Sequence, residues 1–172
     1  MTQELIDLRN SILAGRYQDA LAIVDELEGM SKQAILRNIQ SFLRVLLIHL
    51  IKNQIEQRLT NSWVASIRNS LVEIKKINLK ENKKSYYINK DEWDTWLQEE
   101  IEAAISDASI EVANGMYTPF QLAEIVDKQQ IINEAHNLLQ LTYNYPSSEL
   151  TGIINNAVIQ FPGGENWKLG NS

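Results

Sequence analysis

Apolar residues recur at helical spacing along almost the whole chain. No stretch sustains a period of two bounded by Asn-Gly or Asp-Gly turns, so the pattern predicts an all-α protein. A first helix is expected from Thr2 to Ala14 with Leu5, Ile6, Ile12 and Leu13 turned inward, ended by Gly15. A second, short helix would carry Ala20, Leu21, Val24 and Leu27 to Gly29. Ser31 is then a suitable N-cap for the longest helix, whose stripe Ile35, Ile39, Phe42, Leu43, Leu46 and Leu50 falls in a sector of about 100°. That helix is expected at the centre of the bundle, with His49 at the margin of its stripe.

Asn61 or Ser62 would cap the next helix, where Trp63, Ile67, Leu71, Ile74 and Ile77 share one face and Arg68, Asn69, Lys75 and Lys76 the other. Asn78 to Lys90 is Lys-rich and poor in aliphatics, which predicts a solvated connection pinned by Tyr86, Tyr87 and Ile88. Between about Asp91 and Asn114 the stripe Trp93, Leu97, Ile101, Ala104 and Ala108 returns, with Trp96 about 60° to one side, toward the helix flank. Thr118-Pro119-Phe120-Gln121 combines a capping-box pair with Pro at the first helical position. A break near Lys128 is expected, and Tyr145-Pro146-Ser147-Ser148 reads as a stop followed by a new cap for a helix over Glu149–Gln160. Pro162-Gly163-Gly164 should end regular structure. The expected whole is a single-domain bundle of six to seven helices around one long central helix: a bundle over 1–145, a helical extension over 146–164 and a flexible tail over 165–172.

Composition narrows the function classes. The chain has 172 residues, 44% of them hydrophobic, enough for one core. Acidic residues outnumber basic ones by 22 to 16, for a formal charge of −6, which disfavours nucleic acid as the main partner. The absence of Cys excludes disulfides, thiolate nucleophiles and Cys-ligated zinc. Met1 to Asp7 lacks the basic and apolar regions of an export signal. The most apolar run, Phe42 to Ile51, is interrupted by Arg44 and is shorter than the roughly 20 apolar residues of a membrane span. A cytoplasmic protein without a membrane anchor is the expectation.

The order Val45-Leu46-Leu47-Ile48-His49-Leu50-Ile51-Lys52, then Ser62-Trp63-Val64-Ala65-Ser66-Ile67-Arg68, then Trp96 to Ala113, then Tyr117-Thr118-Pro119 with Gln121 to Asp127, resembles the bacterial domain-of-unknown-function family numbered 29. The resemblance covers roughly residues 5 to 128. It implies a small all-helical bundle and supplies no activity. This chain has Asn53 where members often carry an aromatic. Locally, Gly15-Arg16-Tyr17-Gln18-Asp19-Ala20-Leu21 is similar to the elbow of a tetratricopeptide repeat, but no second elbow follows at the 34-residue period.

Candidate chemistry is sparse. Arg44-x-x-x-x-His49 resembles the Arg-x4-6-His motif of the HEPN superfamily of all-helical ribonucleases, which implies a His in acid-base work on a ribose hydroxyl and an Arg on phosphate charge. Residues five apart on a helix diverge by about 140°, so the bland reading places His49 as a satisfied core residue and Arg44 on another face. A carboxylate-bridged di-metal site fails because Leu46 and Asn133 stand where Glu should precede His49 and His136. No metal or cofactor is expected. The reading favoured by the sequence is a non-enzymatic protein-interaction module acting on a protein partner or on itself. Trp96, Tyr86 and Tyr87 are its candidate contact residues, and Phe42, Leu46, His49, Leu50, Trp63, Ile67, Trp93, Leu97 and Ile101 its structural core. The alternative is a small HEPN-like ribonuclease or toxin-like effector using Arg44 and His49.

Overall fold

The computed structural model describes residues 2–171. Among them there are eight α-helices and no strands: α1 (Thr2–Leu13), α2 (Tyr17–Glu56), α3 (Asn61–Asn78), α4 (Trp93–Ala108), α5 (Pro119–Ile125), α6 (Lys128–Asn144), α7 (Ser147–Val158) and α8 (Gly164–Lys168), with a 3-10 turn at Val112–Gly115. The protein is an all-α bundle. Its contacts define two compact units, residues 1–38 and 39–172, and α2 crosses the boundary as one continuous helix.

The largest correction concerns α2. The expected helix end at Gly29 and the cap at Ser31 do not exist, because a single helix of 40 residues runs through both. Gly inside a helix costs only about 1 kcal/mol relative to Ala. Glu26, Leu27, Glu28, Met30, Lys32, Gln33 and Ala34 around it are mostly strong helix formers, so the local propensity carries the helix across. By length and composition α2 is the one described helix long and apolar enough to cross a membrane; a third of that stretch is buried inside the protein.

In the first unit, α1 and α2 are joined by a tight elbow in which Gly15 takes φ +73° and Arg16 N–H donates to Ser11 O at 2.8 Å. The only buried described residues of this unit are the small Ser11 and Ala20, one on each helix. The expectation that Leu5, Ile6, Ile12 and Leu13 turn inward is corrected, since they are 52%, 47%, 51% and 77% exposed.

The second unit holds the core. Ile39, Leu43, Leu46, Leu47, Leu50 and Ile51 of α2 are buried with Ile67, Leu71 and Ile74 of α3, Trp93, Leu97, Ile101 and Ala104 of α4, and Ile131, Ala135 and Leu139 of α6. Phe42 and His49, expected inside, are only half-buried; the inward sector of α2 is centred on Leu43, Leu46, Leu47 and Leu50, and both lie at its edges. Helix α4 packs on α5 and α6, and α3 and α6 both receive α7.

The cap of α3 is Thr60 rather than Asn61 or Ser62, its hydroxyl accepting from Trp63 N–H at 3.0 Å. The capping box of α5 is present, with Thr118 and Gln121 satisfying each other's backbone N–H groups. Helix α4 stops at Ala108 instead of continuing to Asn114. Regular structure also does not stop at Pro162-Gly163-Gly164, because α8 follows at once. That turn needs both glycines: a Cβ on Gly163 would lie 2.7 Å from Arg58 Cα, and one on Gly164 would overlap the Ile159 carbonyl oxygen. Buried Asn53 fastens the same turn, its amide donating to Arg58 O at 3.0 Å and Pro162 O at 2.8 Å.

Candidate functional site

The two members of the Arg-x4-6-His pair have separate partners. Arg44 donates from Nε and Nη2 to Glu100 Oε2 at 3.1 and 2.9 Å, and its Nη1 lies 3.7 Å from Asp107 Oδ2. Its charge is therefore met by α4 carboxylates, one of them buried, rather than offered to a phosphate. Arg44 lies on another face from His49 and is paired across α2 and α4. His49 Nδ1 lies 2.8 Å from Val45 O, and since a carbonyl can only accept, that nitrogen carries the proton. Burial holds its pKa below the ordinary histidine value; the bond to Val45 opposes the shift and nearby Lys52 adds to it. The neutral imidazole is a helix-side residue bonded to its own backbone. No hydrogen bond joins it to Arg44 among the described residues.

One turn further on, Lys52 reaches Glu111 at 3.4 Å and sits 4.9 Å from the Trp63 ring centroid, while Arg58 covers the same indole at 4.5 Å. Trp63 is buried, with both cations against its ring.

The aromatic candidates fall around α4 and α6. Tyr86 meets Tyr143 edge-on with ring centroids 4.7 Å apart. The Tyr143 hydroxyl accepts from Trp93 Nε1 at 2.7 Å and from Asn78 Nδ2 at 3.0 Å, and donates to Ile88 O at 2.6 Å. Burial pushes its pKa up to about 12 against the opposing pull of the Trp93 and Asn78 bonds. Asn78 also pairs both ways with the Ile88 backbone, at 2.9 and 2.8 Å, so the Lys-rich connection is tied down by one buried network. Beside it lies an open cavity of about 530 Å³ lined by Tyr86, Asn89, Lys90, Asp91 and Tyr143. Tyr87 stacks under Lys80 at 5.4 Å, and Trp96 is half-buried. Tyr86 and Tyr87 thus share one connection and Trp96 lies apart on α4. Among the described residues no group of three or more His, Asp or Glu side chains converges as metal ligands would.

Sequence reasoning missed the most unusual stretch, which follows α4. Ala113 and Asn114 take left-handed conformations at φ 48° and 58°, and Gly115 continues at φ 75°. For residues with a Cβ that geometry costs about 1–2 kcal/mol each. Glu56 Oε2 holds the turn by accepting from Ala113 N–H at 3.3 Å. The flanking side chains Ile110, Met116 and Phe120 are 75%, 71% and 84% exposed, and Ile125 is 49% exposed. Three large apolar side chains are thus strongly exposed within eleven residues.

Two signals in the sequence could have found it. Phe120 lies about 160° around α5 from Leu122, so the buried face and the phenyl ring cannot point the same way. Residues 91–127 also hold ten carboxylates and no Lys or Arg, although the whole chain is only at −6. Glu100, Glu102, Asp107 and Glu111 of that stretch face basic residues from outside it, whereas Glu124 is exposed beside Ile125.

The family model described as "Domain of unknown function DUF29" matches residues 15–131. The chain belongs to that family. No curated protein and no solved structure matches it.

Proposed function

We propose that the chain is a non-enzymatic helical docking module whose partner is a protein segment that alternates apolar anchors with Lys or Arg. The observation that carries this reading is the exposure of Ile110, Met116 and Phe120 inside a stretch without a single basic residue. Exposed apolar side chains gain by burial against a partner, and an aromatic among them is the usual anchor. Glu124, exposed beside Ile125 and outside the ion pairs described above, would attract a cationic segment and repel an acidic one, which supplies orientation and selectivity. The left-handed turn supports the reading too, because strain of this kind persists where the backbone must present side chains in one fixed way. An interaction surface of this sort works in water, and the cytoplasm is the setting we assign to it.

The test is a titration of the isotopically labelled protein, followed by NMR, with an amphipathic Leu/Lys helical peptide and with its Leu/Glu counterpart. The expected result is amide shifts concentrated over residues 110–125 with the Leu/Lys peptide, weakened by salt, and none with the Leu/Glu peptide. Equal response to both peptides, shifts confined to other helices, or no shifts would contradict the proposal.

A further inference from the structure

We infer that the α1–α2 elbow is a self-association surface, covered in solution by the elbow of a second copy of this chain. The first unit cannot hide its own apolar surface: its buried described residues are the small Ser11 and Ala20, while Leu5, Ile6, Ile12, Leu13, Tyr17 and Leu21 are between 47% and 77% exposed. Six side chains at that exposure present roughly 700 Å² per chain, so two copies would remove about 1,400 Å², inside the range of a stable interface.

Charge is compatible with a second copy. Across a two-fold axis each residue near the axis approaches its own equivalent, so an unbalanced charge there would repel itself. Between Leu13 and Leu21 the only charged residues are Arg16 and Asp19, and they pair with each other at 3.5 Å. The elbow is apolar and locally neutral, the composition that tolerates self-contact. It differs in this from the 91–127 stretch, which carries no basic residue of its own. The two surfaces are independent, and either could fail without the other.

The test exploits the absence of Cys in the chain. Leu13→Cys should oxidise to a disulfide-linked dimer within minutes under mild oxidant, while Ser148→Cys, exposed on α7, should form no disulfide-linked dimer. In parallel, sedimentation velocity of the full chain should show a dimer at tens of micromolar. Leu13→Glu with Leu21→Glu should convert it to a monomer with an unchanged helical spectrum, and Phe120→Ser should stay dimeric. A monomeric parent protein, equal cross-linking at both Cys positions, or a dimer that survives the double Glu substitution would overturn the inference. A monomer would mean that the elbow is covered within its own chain or by a foreign partner.

Discussion

Arg44 and Glu100 meet across α2 and α4, with both Nε and Nη2 of the guanidinium on one oxygen of a buried carboxylate, at 3.1 and 2.9 Å. Removing the guanidinium leaves Glu100 buried without its cation. Arg44→Ala should therefore lower stability by about 1–3 kcal/mol, and Arg44→Ala with Glu100→Gln should cost less than the two single changes added together. Chemical denaturation of the four proteins of that cycle measures the coupling. Additive losses would mean that the pair contributes nothing, as many half-exposed pairs do.

His49 gives the protein a dependence on mild acid. Its folded pKa lies below its unfolded value, so between the two the unfolded chain binds the extra proton. The stabilisation is complete above the ordinary histidine pKa of about 6.5 and declines as pH falls below it. His49→Gln should flatten the fall in melting temperature below pH 6.5. An unchanged profile in the variant would place the acid sensitivity elsewhere.

Tyr143 acts at the other end of the scale. Its folded pKa of about 12 exceeds the ordinary value of 10.0, so the unfolded chain loses this proton first. Stability from the group is full below pH 10 and is lost as pH rises toward 12. Tyr143→Phe should remove that alkaline loss. At neutral pH it should cost about 1–3 kcal/mol by leaving Trp93 Nε1 without its acceptor. Denaturation curves at pH 8 and pH 11 separate the two effects.

Ala113 pays for its left-handed conformation with no bonding return from its side chain. Ala113→Gly should raise stability by about 1 kcal/mol, since glycine occupies this region without the Cβ clash. A thermal melt that shifts downward instead would show the turn to be unstrained.

These residues also mark how far the sequence could be read. Helical periodicity and the Thr118–Gln121 box were legible because they depend on neighbours three or four positions apart. The 40-residue length of α2 was not, because Gly29 is a weak breaker and only its surroundings decide whether the helix continues. The outward turn of Leu5, Ile6, Ile12 and Leu13 was illegible for a different reason: apolar spacing says that a face seeks cover, not whether the same chain supplies it. For the candidate site, Tyr86 and Tyr87 were readable as anchors of the connection. The partner of Arg44 lies 56 positions away in the sequence, and nothing local announces it.

The central claim rests on Phe120, and it is tested most directly by fluorescence anisotropy of a labelled amphipathic Leu/Lys peptide against the parent protein and Phe120→Ser. Phe120 is 84% exposed, so its loss should leave the melting temperature almost unchanged. Binding should weaken by about tenfold or more, the effect of deleting an aromatic anchor. Equal affinity for the two proteins, at equal stability, would contradict the docking account.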